Sequence, residues 1–326
     1  MVLTQDTKDI NAFITHDMQT NADYLRQVAL RLSERQTPPL HLKILLLSLK
    51  MIDYQGQAHI QSAVIFEYIF AATKLHDDTM ELKISCQNES LNQGLKGKNS
   101  RILVGDFFYS RAYSLMANLG EMRVVSHLTN AINQYTVGQT LQICQAGDSS
   151  TSEQQYFKRL KQKSWLYYAS VAQVVGELGD CKEAQTQALC DYALHVGMAA
   201  QIIEETLCCI RGSVADQHKQ STLPLIVIRG LQQAAPALRQ LIQSALDQTG
   251  LKQTKIVKQP IANVVIEQIC TQTDALAYTR NRIEIEIKEA TQAVEAFPES
   301  VYRQALVDLA KEVFVAFDAD VVDLIC

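Results

Sequence analysis

Residues 60–81 read IQSAVIFEYIFAATKLHDDTME. From Ile60 to Leu75 the side chains are apolar nearly all the way round a helix, with Glu67 as the interruption. Helices of this kind belong at the centre of a large bundle rather than on its surface. The segment therefore predicts an all-α protein in which this helix is buried.

The remaining sequence continues the same helical pattern, because apolar residues recur at three- and four-residue spacing. The 326 residues include 13 glycines and 6 prolines, about 4% and 2%, well below the usual ~7% and ~5%. So few breakers argue against a β-sandwich or a glycine-dependent βαβ fold. Because no Pro/Ser/Gly-rich linker divides the chain, we expect one domain spanning residues 1–326. The predicted helices are 6–33, 40–53, 57–80, 101–118, 121–145, 152–178, 182–211, 222–231, 235–248, 261–271, 273–295 and 299–320.

Charge and cysteine content exclude several classes of function. With 30 basic and 35 acidic residues, the chain has a formal charge of -5 and no basic stripe for nucleic acid. The eight cysteines form neither a C-x-x-C pair nor a zinc-binding spacing. The most apolar stretch, Ala63 to Ala72, is too short to span a bilayer, and the first residues lack a signal-peptide layout. We therefore expect a cytoplasmic protein with reduced thiols and no transmembrane segment.

The central helix ends in acidic residues. Asp77 and Glu81 are four residues apart and share a helical face, and Asp78 lies beside them. Three neighbouring carboxylates repel one another unless a cation lies between them. The spacing alone leaves two interpretations open, a solvated acidic turn or a divalent-metal site.

Six segments along the chain resemble the motifs of one known protein family. They are Lys74 to Asp78, Gly105 to Ala112, Gly138 to Gln142, Lys163-Ser164, Gln201 to Ile203 and Ser221 to Leu225. In this order and at nearly constant spacing, they resemble the motifs of the trans-isoprenyl diphosphate synthases, in particular the long-chain, octaprenyl type. The resemblance extends over essentially the whole chain.

This resemblance implies an isoprenoid-synthase-type helical bundle around a central apolar cavity, usually dimeric. Two acidic motifs would face each other and hold Mg²⁺ on an allylic diphosphate, since Mg²⁺ prefers hard oxygen ligands and stabilises the charge of a leaving diphosphate. The implied metal ligands are Asp77, Asp78, Glu81 and Glu204. The implied substrate-binding residues are Lys163 and Gln201.

The basic groups of the family are largely missing from this sequence. Cys86 and Gln87 stand where two arginines grip the allylic diphosphate, and Phe70 stands where a histidine helps to hold isopentenyl diphosphate. Arg35 or His41 offers one positive group in place of three. A charge-assisted hydrogen bond contributes on the order of 1.5–3 kcal/mol. We therefore expect weak binding of isopentenyl diphosphate.

The acidic motifs also depart from the pattern. The second motif, D-D-x-x-D in the family, becomes Glu204-Glu205-Thr206-Leu207-Cys208 and loses its third carboxylate. Lys74 lies three residues before Asp77, where the family has an apolar residue. Two interpretations stay open, a weak Mg²⁺ site or an ion-pair relic in which Lys74 has replaced the metal. Asp106 and Arg111 are expected to pair with each other.

These observations favour a divergent polyprenyl diphosphate synthase homologue that is impaired in chain elongation. Such a protein would act as a non-catalytic or regulatory subunit, as a homodimer or as a heterodimer with an intact synthase. One alternative is an enzyme that ionises an allylic diphosphate without isopentenyl diphosphate, like a terpene synthase. Another is a still-active, atypical polyprenyl synthase.

Overall fold

The computed structural model describes residues 3–18, 23–80, 98–144, 150–211, 222–248 and 263–325. Within these ranges there are fourteen α-helices and no strand. The helices are α1 (Thr4–Asp17), α2 (Asp23–Ser33), α3 (Leu40–Met51), α4 (Ala58–Met80), α5 (Lys98–Leu119), α6 (Met122–Cys144), α7 (Glu153–Ser164), α8 (Ser170–Leu178), α9 (Glu183–Arg211), α10 (Leu225–Gln233), α11 (Pro236–Gln248), α12 (Asn263–Gln272), α13 (Ala275–Ala293) and α14 (Val301–Ile325). A π-helical turn, Trp165–Ala169, joins α7 to α8, and a 3₁₀ turn, Val294–Ala296, follows α13. The all-α prediction is confirmed.

Helix α4 lies at the centre of the bundle. Every residue from Ser62 to Thr73 is buried, and Lys74 is the first exposed residue after them. The helix packs most extensively against α5 and also contacts α1 and α3. The apolar residues all round α4 thus predicted its central position. The C-terminal turn of α4 carries Asp77 and Asp78 towards the bundle's edge.

Helix α9 is the second long core element and packs against α7, α8, α13 and α14. Its close approach to the π-helical turn depends on Gly197, because a Cβ there would overlap the ring of Tyr168. Among the described helices, α9 is long and apolar enough to cross a membrane, but 56% of its apolar window is buried within the bundle. Burial of this kind is typical of a core helix in a soluble protein.

The buried apolar side chains form one contiguous core that runs from Ile10 in α1 to Phe317 in α14. Elements from both ends of the chain therefore pack on a shared interior. This arrangement is compatible with the single domain expected for residues 1–326, which stays a prediction.

Two predicted helical ranges differ from the structure. The helix predicted over residues 6–33 is two helices, α1 and α2, which pack against each other. Residues 19–22, between the two helices, lie outside the described residues. The predicted range 152–178 is helical from Glu153 onward but contains the π-helical turn.

The expected pairing of Asp106 with Arg111 is wrong. Arg111 instead forms an ion pair with Asp17 of α1, which also accepts a hydrogen bond from the Tyr68 hydroxyl at 3.0 Å. Asp106 pairs with His76, with 3.2 Å between Oδ1 and Nε2. Residues five apart on a helix point to different sides, so each finds a partner on another element.

Candidate substrate and metal site

A cavity of about 170 Å³ lies beside the C-terminal half of α4. Its wall is formed by α4, the start of α3, the end of α2 with the segment between α2 and α3, and the π-helical turn. Its lining residues are Leu32, Arg35, Pro39, His41, Glu67, Phe70, Ala71, Lys74 and Tyr167. The segment that aligns with the family's basic run therefore does reach a cavity next to the acidic end of α4.

The two basic groups of that segment meet a single buried carboxylate. Glu67 is only 3% exposed, and its Oε2 lies 2.6 Å from Nη1 of Arg35. Its Oε1 lies 2.8 Å from Nε2 of His41. Because a buried charge needs a partner, Glu67 holds both groups on the cavity wall.

His41 contributes little positive charge to this cavity. Burial lowers the pKa of His41 below its ordinary value of 6.5; the hydrogen bond and charge of Glu67 oppose this, and the charge of Arg35 adds to it. The ring is therefore neutral at pH 7. Since the carboxylate of Glu67 accepts, Nε2 of this neutral ring carries the proton and donates it.

Aromatic rings cover another part of the cavity wall. The Phe70 ring meets the His41 ring edge-on, with 4.0 Å between centroids, and tilts against Tyr167 at 4.6 Å. Phe70 stands where the resemblance predicts a histidine, and it offers no hydrogen bond to a phosphate. This part of the wall is suited to apolar or cationic groups rather than to anions.

The carboxylate of Asp77 lies against helix α6. Its Oδ2 accepts a hydrogen bond from the Tyr135 hydroxyl, and its Oδ1 accepts one from Nε2 of Gln139 at 2.5 Å. Nε2 of Gln139 also lies 2.9 Å from the Tyr135 hydroxyl oxygen. Tyr135 and Gln139 are four residues apart, so one face of α6 presents both donors.

The other two carboxylates of the first acidic motif lie outside the side chains that the structure describes. Asp78 belongs to α4, but its side chain is not among those that the structure describes, and Glu81 lies outside the described residues. Among the described side chains, no three His, Cys, Asp or Glu residues form a group that could hold a metal ion. The predicted metal ligands of this motif therefore stay a prediction.

Lys163 lies in the last turn of α7, directly before the π-helical turn. Its side chain is half-buried and forms no ion pair with any residue that the structure describes. The adjacent Ser164 is buried, and its hydroxyl has no hydrogen-bond partner among the residues that the structure describes. Insertions of π-helix occur frequently at functional sites, and this one follows the predicted substrate-binding lysine immediately.

The second acidic motif separates into an outward and an inward carboxylate. Glu204 is exposed on α9, whereas Glu205 accepts hydrogen bonds from the Tyr156 hydroxyl at 2.9 Å and from Nε2 of Gln201 at 3.2 Å. Gln201, a predicted substrate-binding residue, is thus engaged with Glu205. Of the two acidic residues, Glu204 is the one directed to solvent.

Tyrosine rings connect the two acidic helices. Tyr135, which binds Asp77, packs edge-on against Tyr167 at 5.5 Å, and Tyr167 tilts against Tyr168 at 6.4 Å. Burial raises the pKa of Tyr168 above its usual range, and the nearby charge of Glu204 raises it further. The row of aromatic residues therefore starts at Asp77 and ends at Tyr168, whose ring is within electrostatic reach of Glu204.

Sequence reasoning did not identify Tyr135, or the role of Glu67, as parts of this site. Glu67 was visible only as a charge within an apolar helix, a pattern that requires a buried partner. Tyr135 lies four residues before Gln139, which belongs to the segment Gly138 to Gln142 that resembles a family motif. The sequence therefore indicated that Tyr135 and Gln139 share a helical face. It did not indicate which helix this face contacts.

Comparison with known proteins gives matches over most of the chain. The family model for polyprenyl synthetase matches residues 24–264. The octaprenyl diphosphate synthase of Escherichia coli (strain K12) is 26% identical over 312 residues, covering 94% of each chain.

Solved structures agree with this result. A decaprenyl diphosphate synthase from Rhodobacter capsulatus superposes with a TM-score of 0.81 at 26% identity, covering 97% of each chain. A polyprenyl synthase from Caulobacter crescentus, complexed with calcium and isoprenyl diphosphate, has a TM-score of 0.82 at 20% identity and covers 96% of this chain and 95% of its own. The second likeness concerns the fold alone.

Proposed function

The chain belongs to the polyprenyl synthetase family, and from this premise we propose that it binds an allylic isoprenoid diphosphate but condenses isopentenyl diphosphate poorly. The observation that carries the proposal is the cluster of Arg35, Glu67 and His41. A second diphosphate needs several cations, and this cluster offers almost none that is not already engaged.

The charge of the cavity supports this proposal. Arg35 is paired with Glu67, His41 is neutral at pH 7, and Phe70 has no charge. Lys74 adds one positive charge at the cavity wall, but it also interacts with other groups of the protein. Losing two to four charge-assisted hydrogen bonds, at roughly 1.5–3 kcal/mol each, weakens affinity by orders of magnitude.

The allylic site retains more of its polar groups. The carboxylate of Asp77 supplies hard oxygen atoms of the kind that divalent cations prefer. Bound Mg²⁺ would supply positive charge to the diphosphate leaving group. Asp77, Asp78, Glu81 and Glu204 would hold it, weakly at best, because the second motif lacks a third carboxylate. Lys163 and Gln201 would contact the diphosphate.

In this proposal the chain acts as a non-catalytic or regulatory subunit, either as a homodimer or with an intact polyprenyl synthase. Helix α5 supports the assembly, because Ile102, Leu103 and Tyr113 expose apolar surface on it. Apolar side chains grouped on one surface helix mark an interaction site.

A second candidate function is ionisation of an allylic diphosphate without a co-substrate. The observation in its favour is the aromatic wall of Phe70 and Tyr167, adjacent to Tyr135 and Asp77. Aromatic faces attract cations, including the carbocation that such an ionisation would produce. The third candidate, a still-active polyprenyl synthase, is supported by the similarity to an octaprenyl diphosphate synthase and a decaprenyl diphosphate synthase.

Product analysis separates these functions. The purified protein is incubated with Mg²⁺ and geranyl or farnesyl diphosphate, with and without isopentenyl diphosphate, and the lipid products are identified by mass spectrometry. The proposal predicts unchanged allylic diphosphate in both incubations. Alcohols or cyclic hydrocarbons formed without isopentenyl diphosphate would establish the second candidate, and longer prenyl diphosphates would establish the third.

A further inference from the structure

One carboxylate joins two basic groups on the wall of the cavity. Oε2 of Glu67 lies 2.6 Å from Nη1 of Arg35, and Oε1 lies 2.8 Å from Nε2 of His41. Arg35 belongs to the segment between α2 and α3, His41 to α3 and Glu67 to α4. Among the described residues, the other polar side chains of this wall are Lys74 of α4 and Tyr167 of the π-helical turn. These five groups determine the charge of the cavity.

The charge of this wall changes with the protonation of His41. Arg35 and Glu67 offset each other, and Lys74 adds a positive charge that also interacts with other groups of the protein. Burial raises the pKa of Tyr167 well above its usual range, so its phenol stays neutral. His41 is the only histidine among the described residues that line the cavity, and histidine is the side chain that ordinarily titrates between pH 5 and 8. Because burial lowers the pKa of His41 below 6.5, mild acid adds a positive charge that is absent at neutral pH.

The proton that His41 gains has no acceptor among the described residues. Nε2 already donates to Glu67, so protonation adds an N–H at Nδ1. Nδ1 forms no hydrogen bond with any residue that the structure describes, and the adjacent ring of Phe70, at 4.0 Å between centroids, supplies no oxygen. The His41 side chain is only 12% exposed, and an N–H that is shielded from water and lacks an acceptor is unfavourable. An anion in the cavity would supply the acceptor and offset the new charge.

We propose that protonation of His41 converts this cavity into a site for a small oxyanion, so that it binds phosphate-like anions in mild acid and binds them poorly at neutral pH. The cavity volume of about 170 Å³ suits such an anion, since a water molecule takes about 30 Å³. This inference rests on the proposed function in one respect, because it assumes that the cavity at neutral pH is a weak site for a second diphosphate. It adds the condition under which the same cavity gains affinity.

Nuclear magnetic resonance of the histidine rings tests this inference on the intact protein. The rings carry ¹³C at Cε1, and their titration is followed from pH 7.5 to pH 5.0 in sulfate and in chloride at equal ionic strength. Sulfate is the probe because it keeps its two negative charges throughout this range, whereas phosphate and pyrophosphate change theirs. The signal of His41 is identified by its loss in His41→Gln, or by its displacement in Phe70→Leu, which removes the adjacent ring.

We expect sulfate to raise the titration midpoint of His41 by about one pH unit. An anion that binds the protonated form about tenfold more tightly must shift the proton equilibrium by the same factor. Arg35→Gln should reduce this rise, since it removes the neighbouring guanidinium and leaves the histidine in place. His195 is the matched control in the same sample, and its midpoint should not rise. It also binds a buried carboxylate that an arginine shares, Glu286 with Arg282, but it is not among the residues that line this cavity.

Two results would overturn the inference, and they differ in what else they exclude. Equal midpoints of His41 in sulfate and in chloride with no effect of sulfate at pH 7.5, or an equal rise for His195, would refute the role of protonation and leave the proposed function intact. Saturable displacement of the His41 signal by sulfate at pH 7.5, without a rise in its midpoint, would mean that the cavity binds anions at neutral pH. That result would refute both the role of protonation and the proposed loss of the second diphosphate site.

Discussion

Glu67 shows why single residues in this chain were difficult to interpret from sequence. Its position in an apolar helix indicated that it is buried, but not that it binds Arg35 and His41 on other segments. Asp77 was identified from its spacing and resemblance, whereas Tyr135 was not. Helical spacing tells which residues share a face, but contacts between helices depend on how the helices pack.

Replacing Glu67 with Gln should release Arg35 and raise the affinity of the protein for inorganic pyrophosphate about tenfold. One additional charge-assisted hydrogen bond, about 1.5 kcal/mol, corresponds to that factor. The affinity for pyrophosphate is measured by titration calorimetry without metal.

Glu286→Gln is the matched control for this experiment. Glu286 is equally buried and also binds a histidine and an arginine, His195 at 2.7 Å and Arg282 at 3.1 Å. We expect no gain in pyrophosphate affinity from this variant. An equal gain in pyrophosphate affinity in both variants would mean that the gain does not come from the release of Arg35 at the cavity.

His41 should make stability depend on pH. Its pKa is lower in the folded protein than the ordinary 6.5, so near and below pH 6.5 the unfolded chain binds more protons. The free energy of unfolding therefore rises with pH through this window, and the contribution is lost as pH falls below 6.5. Urea unfolding at pH 7.5 and pH 5.0 should show a smaller loss for His41→Gln than for the parent. Equal losses would contradict this explanation.

At the scale of elements, the helices were largely predictable and their irregularities were not. The apolar residues on all sides of α4 predicted its burial, because a helix of this kind has no polar side to face solvent. The π-helical turn at Trp165–Ala169 has no comparable signal, since the adjacent sequence is helical in periodicity throughout. It became visible only with the packing of Tyr167 and Tyr168 between the cavity and α9.

Gly197→Ala should destabilise the protein by about 1–3 kcal/mol, because the added Cβ would overlap the ring of Tyr168 in a tightly packed region. Urea unfolding gives the magnitude. Gly138→Ala is the control, since its Cβ would meet Gln162 at 3.3 Å and the helix gains propensity. A loss of stability in the control as large as that in Gly197→Ala would show that close packing at Tyr168 is not the cause.

At the scale of the whole molecule, the resemblance predicted the fold class and its family, and the comparisons confirm both. Subunit assembly is different, because exposed apolar residues show where a partner could bind but not which partner binds. The core that connects α1 to α14 likewise favours one cooperative domain without proving it.

We predict a dimer with twice the 36.5 kDa chain mass, or a heterodimer with an intact polyprenyl synthase, formed through α5. Light scattering coupled to size exclusion measures the mass. Leu103→Glu, at a residue 68% exposed, should weaken the assembly, whereas Val301→Glu, at a residue 74% exposed on α14, should not. A monomer both alone and in mixture with the synthase would contradict the prediction.

We propose that this chain retains an allylic diphosphate site and has lost an effective site for isopentenyl diphosphate. Titration calorimetry in Mg²⁺, with an allylic thiolodiphosphate and then with isopentenyl diphosphate, tests both halves on one sample. We predict saturable binding of the allylic analogue, abolished in Asp77→Asn/Asp78→Asn, and no saturation by isopentenyl diphosphate up to about 1 mM, where binding free energy is only about 4 kcal/mol. Micromolar binding of isopentenyl diphosphate by the parent would refute the loss of this second site.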